Sequence, residues 1–357
     1  MITKLEIDNF RGHKHLEMDG ISPITLVTGT NNVGKSSVLE ALYLFNDHSS
    51  PGVFSTMAGL RGALTESVVK SWEVLFHRMN VEEGLKLSIE MDKKDHASLL
   101  YKKSSDYAPL VQSKADGFIP GSNPTGAKLP YLLEYTYKHG EYGERGVFDI
   151  NGNGLFVNIE TTLQQNEREK MPFTILVTPM VPRMAYELME WVGGMEISGK
   201  KDLSLEVLKL IDPDIIDIFS ATQNGQAQLY IKKKSNGVLP LKYAGDGLVR
   251  LFYIMTAIMS NTYSLVLIDE IENGFHYSMY EKIWESLSKA AKNSSCQIIA
   301  TTHSYENIEA CVRGVDKADR KDDFSVHRLD YGADFTRDHR YDFEMAEMAV
   351  RSKLEVR

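Results

Sequence analysis

The chain has 357 residues, 43% hydrophobic and 25% charged, which suits one large buried core or two modest ones and argues against disorder. A formal charge of −9 argues against a surface coated in nucleic acid, so any DNA contact must be local or assembled by oligomerisation. No 18 apolar residues run together, and the opening MITKLEIDNF alternates apolar and polar residues instead of following a basic segment with an apolar block, so the expectation is a cytoplasmic protein with no membrane partner.

The first informative stretch is VTGTNNVGKSSVLEAL, residues 27–42. Residues 23–29, PITLVTG, form an apolar, β-branched run that predicts a buried strand, and from Ser36 the positions Val38, Leu39, Leu42 and Phe45 recur at helical spacing. The loop between them fits G-x-x-x-x-G-K-[ST] through Gly29, Gly34, Lys35 and Ser36, a coincidence expected by chance in roughly one chain in a hundred of this length. Gly29 and Gly34 allow a tight turn whose N–H groups reach phosphate oxygens at a helix N-terminus, and Asn31 within it is a further candidate for nucleotide binding. Lys35 would neutralise the β and γ phosphates of ATP, Ser36 would offer its hydroxyl to Mg²⁺, and Ser37 would bond an α phosphate.

The middle of the chain says less about function. GLKLSIEMD (84–92), SLLYKK (98–103) and the stretch from Tyr131 to Glu160 alternate like strands and predict a β layer that completes an N-terminal lobe. Residues 104–129, rich in Ser, Gly and Pro, predict a long loop. From Val181 to Ile211 the pattern turns helical, predicting an inserted helical arm too short for a long coiled coil. The expected division is therefore an N-terminal ATPase lobe over 1–180, a helical insertion over 181–226 and a C-terminal lobe over 227–357. Lys232, Lys233 and Lys234 precede SNG in a predicted hairpin, where a solvated edge explains them better than a DNA contact.

Glycine-rich AGDGL leads into a predicted helix whose Leu248, Leu251, Phe252 and Met255 share a face. SLVLIDE (264–270) predicts a buried parallel strand that delivers Asp269 and Glu270 at its C-terminal end, a Walker B pattern. Asp269 would bind Mg²⁺ opposite Ser36, and Glu270 would orient or deprotonate the attacking water. CQIIATTHS (296–304) predicts a further strand ending in Thr301, Thr302 and His303, with His303 placed to meet the γ phosphate and that water. Two cysteines cannot make a disulfide framework, and neither Cys296 nor Cys311 is given a catalytic role. The acids and bases interleaved after Asp316 predict a solvated turn, and the remainder a last strand and a closing helix.

The blocks KLEIDNFRGHKHLEM, LVTGTNNVGKSSVLEAL, YAGDGLVRLFYI, LVLIDEIENGFHYS and IIATTHS together resemble the OLD and RecF-like branch of the ABC-type ATPases. The resemblance implies an α/β fold, an ABC-type P-loop NTPase with a mixed sheet core. It also implies that Gly29, Asn32, Gly34, Lys35, Ser36 and Ser37 cradle the triphosphate and metal. In such relatives Gly245, Asp246 and Gly247 would form the signature that reaches a partner subunit's γ phosphate, and Arg11 would lie near the nucleotide, although a solvated turn arginine reads equally well. Two departures stand out: the usual signature serine is Gly245, and no glutamine precedes Gln112 where a Q-loop is expected. Full-length OLD proteins carry a further nuclease domain; with roughly fifty residues after His303 in this sequence, the expectation is that such a domain is missing. The expectation is a Mg²⁺-dependent ATPase that forms a homodimer or higher homo-oligomer around ATP and serves as sensor or motor for a separate effector protein, a nuclease or toxin, in a DNA-related or anti-phage defence complex. A RecF-like DNA-maintenance ATPase and a nucleotide-dependent scaffold with little turnover are the alternatives.

Overall fold

The computed structural model describes residues 1–50, 52–59, 72–92, 95–103, 132–149, 157–161, 173–179, 186–199, 201–223, 226–259, 265–332 and 335–354. The predicted loop at 104–129 and the first residues of the predicted helical segment, 181–185, lie outside them.

Among the described residues, three sheets organise the chain. The first has seven antiparallel strands in the order β2-β1-β4-β5-β6-β7-β8: β1 (Ile2–Phe10), β2 (His13–Asp19), β4 (Leu85–Met91), β5 (Asp95–Lys103), β6 (Leu132–His139), β7 (Tyr142–Asp149) and β8 (Val157–Thr161). It is the β layer expected from the alternating stretches. The central sheet has six strands in the order β16-β15-β3-β14-β13-β9. Its members are β3 (Ile24–Gly29), β9 (Thr174–Val177), β13 (Leu265–Ile268), β14 (Gln297–Thr301), β15 (Phe324–Tyr331) and β16 (Thr336–Asp342). All pairings are parallel except β15 with β16, so the predicted single last strand is a hairpin. A small sheet of β10 (Ile215–Gln223), β11 (Gln226–Lys233) and β12 (Gly237–Pro240) holds Lys232 and Lys233 on one strand of a hairpin and Lys234 in its turn.

The central sheet is buried on both faces, which is why its strands read as unbroken apolar runs. Alternate residues go to different cores. Ile24, Leu26, Val266, Ile268, Ile298 and Ala300 face a core shared with helices α3 (Tyr186–Ile197), α4 (Lys201–Ile211), α5 (Asp246–Met259), α6 (Tyr280–Ser294), α7 (Tyr305–Lys317) and α8 (Phe343–Arg351). Val27, Leu265, Leu267 and Ile299 face α1 (Lys35–Asn46), α2 (Gly52–Gly59) and the seven-stranded sheet. The predicted Val38, Leu39, Leu42 and Phe45 are all buried in this second core, and Leu248, Leu251, Phe252 and Met255 in the first. Trp191, Val192 and Met195 of α3 and Leu205 and Leu208 of α4 also belong to the first core. Both cysteines are buried, and burial pushes the Cys296 thiol up to about 12. Among the described residues no helix is long and apolar enough to cross a membrane.

Candidate nucleotide-binding site

Because β3, β13 and β14 are parallel neighbours, their C-terminal ends open on the same side. β3 delivers the glycine loop, β13 delivers Asp269 and Glu270, and β14 delivers Thr301 and, two residues on, His303. A polar cleft of about 740 Å³ lies there, lined by Arg11, Gly12, Asn31, Asn32, Gly34, Lys35, Ser36, Ser37, Val74, Glu270, Thr301 and His303.

Two glycines of the loop are required by geometry. Gly29 has φ +136°, and a Cβ there would sit 2.4 Å from the Leu329 carbonyl oxygen. Gly34 has φ +103°, and a Cβ would meet the His13 ring at 2.4 Å. As the N-cap of α1, Gly34 supplies no side-chain hydrogen bond, and the first helical turn contains no acidic residue. The orphan N–H groups of that turn and the positive end of the helix dipole are thereby left for an anion. Asn32, at φ +66°, takes the left-handed conformation that asparagine tolerates well.

The loop's own carbonyl oxygens hold its lysine. Lys35 Nζ donates to the carbonyls of Gly29 at 2.7 Å and Thr30 at 3.0 Å. Burial lowers its pKa, while the charges of Glu272, Asp269 and Glu270 act the other way. Ser36 Oγ donates to Asp269 Oδ1 at 2.8 Å, and Thr301 Oγ1 donates to the same oxygen at 2.7 Å. A hydroxyl and a carboxylate oxygen side by side are the hard ligands a P-loop Mg²⁺ takes, so Ser36 and Asp269 fit the ion.

Glu270 is held by its backbone. Its φ of +48° lies in the left-handed region, its N–H donates to Thr301 Oγ1 at 2.8 Å, and its carbonyl accepts from Arg250 Nη2 at 3.0 Å. The same Arg250 nitrogen donates to the Asp269 carbonyl at 2.5 Å. Arg250 is 3% exposed, and burial lowers its pKa to about 10 against the pull of the nearby carboxylates, leaving it cationic at neutral pH.

Some residues invisible to motif reading therefore support the site. Arg250 lies within the predicted amphipathic helix α5, where an arginine among apolar neighbours was the available signal. Thr301 marked only the end of a strand, yet it bonds both Asp269 and Glu270. His13 is fully buried beneath the loop: Nε2 donates to the Gly34 carbonyl at 3.0 Å and Nδ1 lies 2.8 Å from Thr336 Oγ1. Glu272 accepts from the His303 N–H at 2.9 Å.

Arg11 lines the cleft but is no solvated turn residue. Its Nε pairs with Glu40 Oε2 of α1 at 3.0 Å, and its N–H donates to the Leu75 carbonyl at 2.7 Å. Gly245, Asp246 and Gly247 are not among the residues lining this cleft; Gly245 directly precedes α5 and the other two begin it, with Gly245 and Asp246 exposed and Gly247 packed on the backbone of Gly274, in the turn after Glu270.

The chain resembles known proteins in sequence and in fold. The chain is 26% identical over 352 residues to an ATP/GTP phosphatase of Helicobacter pylori, an alignment covering 91% of this chain and 90% of the other. It is 35% identical over 112 residues to an uncharacterised protein of Methanocaldococcus jannaschii, covering 29% of this chain and 48% of that one. A 43-residue stretch is 46% identical to the DNA replication and repair protein RecF of Nitrosococcus oceani, 12% of each chain. The fold is that of Smc heads. One, bound to the C-winged helix domain of ScpA, superposes with a TM-score of 0.51 over 97% of this chain and 99% of its own, at 12% identity. Another, from Pyrococcus furiosus, carries an extended coiled coil and is bound to the C-terminal domain of ScpA; its TM-score is 0.52 over 99% of both chains, at 10% identity. The model of the AAA ATPase domain family matches residues 1–137 and 182–308, and the chain belongs to that family, built on an ABC-type P-loop ATPase fold.

Proposed function

We propose that the protein binds ATP with Mg²⁺ and hydrolyses the β–γ bond, with a second copy of the chain closing the site. The observation that carries this reading is the meeting of three strand ends: Ser36, Asp269 and Thr301 are joined by hydrogen bonds of 2.7–2.8 Å beside a cleft lined by Lys35, Glu270 and His303. Lys35 would exchange its two carbonyl partners for β and γ phosphate oxygens. Mg²⁺, held by Ser36 and Asp269, would supply further neutralisation of phosphate charge. Glu270 orients the attacking water and accepts its proton as the water oxygen bonds the γ phosphorus. The bridging P–O bond breaks toward ADP, and inorganic phosphate is the second product. His303 would donate to a γ oxygen.

All of these groups would approach the γ phosphate from one side. The signature Gly245, Asp246 and Gly247 does not line this cleft, which supports its action on a partner's nucleotide in a sandwich dimer. The test is Glu270→Gln beside Lys35→Ala. The first should bind ATP, slow phosphate release on the order of 100-fold and elute as a dimer with ATP; the second should lose nucleotide affinity. Monomeric elution of Glu270→Gln at saturating ATP sinks the sandwich, and unchanged affinity in Lys35→Ala sinks the site.

The role we infer beyond catalysis is that of a sensor or motor subunit, of the OLD-like kind, controlling a separate effector in a DNA-related or anti-phage defence complex; the motif resemblance supports it. The RecF match favours a second reading, direct binding of duplex DNA. An ATP-dependent, salt-sensitive DNA mobility shift would favour that second reading, and ATP-dependent co-purification of a nuclease or toxin would favour the first.

A further inference from the structure

We infer that Glu272 is a positioning residue that holds the His303 ring with Nδ1 protonated and turns the opposite edge, Nε2, to the cleft. This rests on the reading of His303 as the γ-phosphate group. The Glu272 side chain is 8% exposed, and a carboxylate so buried needs donors. One comes from the residue it would position: the His303 backbone N–H donates to Oε1 at 2.9 Å, and the ring's Nδ1 lies 2.9 Å from the same oxygen. A carboxylate oxygen accepts hydrogen bonds, so the tautomer that suits this close contact carries its proton on Nδ1.

The carboxylate is itself anchored. Asn307, 1% exposed, approaches Oε2 through Nδ2 at 3.5 Å and also donates to Thr302 Oγ1 at 3.1 Å. Its Oδ1 accepts from the indole Nε1 of buried Trp284 at 2.9 Å. A chain of polar contacts thus runs from the first core to an imidazole whose side chain is 52% exposed. An exposed ring with such an anchor has already lost the rotational freedom that would otherwise oppose its alignment with phosphate. Glu272 also lies two residues after Glu270 on the same turn, so a shift of that turn moves the water-orienting carboxylate and the imidazole together.

The experiment measures phosphate release and fluorescent-ATP binding for full-length wild type, His303→Ala, Glu272→Ala, Glu272→Gln and the double variant Glu272→Ala/His303→Ala. Glu272→Ala should lose about 10- to 100-fold in kcat, with nucleotide affinity within about threefold of wild type. Glu272→Gln, which keeps an acceptor for Nδ1–H, should recover most of that loss. The double variant should be no slower than His303→Ala, because residues acting as one unit are not additive. Wild-type kcat in Glu272→Ala, or a double variant slowed by the product of the single effects, overturns the inference. If His303→Ala itself turns over normally, the parent reading of His303 fails first. Nitrogen-15 NMR of His303 in the wild-type protein gives an answer independent of variant folding: a proton on Nδ1 is expected, and a ring protonated only at Nε2 refutes the assignment.

Discussion

Replacing Gly247 by alanine tests whether the signature helix and the turn after Glu270 move as one piece. An added Cβ would lie 2.1 Å from the carbonyl oxygen of Gly274 and 3.0 Å from its carbonyl carbon, both backbone atoms in the turn that follows Glu270. No flexible side chain can yield there, so the turn or the start of α5 must retreat by about 1 Å to reach ordinary contact. The stability cost is modest: overpacking takes about 1–3 kcal/mol, and alanine returns up to about 1 kcal/mol of helix propensity. The catalytic cost is larger, because a displacement of about 1 Å at a reacting group is worth on the order of 100-fold. Phosphate release at saturating ATP should therefore fall by roughly that factor, while fluorescent-ATP affinity, which on the proposed reading the loop at Lys35 would set, stays within about threefold. Gly194→Ala serves as control: its Cβ would enter open space on helix α3, so kcat holds while stability rises by about 0.5–1 kcal/mol. Normal turnover in Gly247→Ala would refute the coupling.

Two further outcomes concern stability. Burial lowers the His13 pKa from 6.5 to about 4, so the folded protein favours the neutral ring; this stabilisation is complete above pH 6.5 and is lost as pH falls toward 4. Urea midpoints should show about 2 kcal/mol of His13-dependent loss between pH 7 and pH 5, absent in His13→Gln; parallel pH curves for the two proteins would refute it. Gln297, 2% exposed, accepts from the Ile2 N–H at 2.9 Å and donates to the carbonyls of Ile2 at 2.8 Å and Ser22 at 3.1 Å. Gln297→Leu strands all three backbone groups and should cost about 3–5 kcal/mol, read as a melting midpoint lower by about 4–7 °C; an unchanged midpoint contradicts the bracing role.

What the sequence by itself determined is local. The period of apolar residues placed β3, α1, β13, β14 and α5, and the spacing of Gly29, Gly34, Lys35 and Ser36 marked a phosphate loop, because those features follow from neighbours a few residues apart. The order of strand-end features also predicted that Asp269 and His303 would meet Ser36, since parallel strands present their C-terminal ends on one side. Only the tertiary structure decided what supports them. Thr301 bridging Asp269 and Glu270, Arg250 holding two carbonyls from α5, and Glu272 on His303 are contacts across 19 to 32 positions of chain. Arg11 is the sharpest case: motif reading left it between nucleotide and solvent, and packing gave it Glu40. A side chain's partner depends on where the backbone brings distant charges together, and no local pattern carries that information.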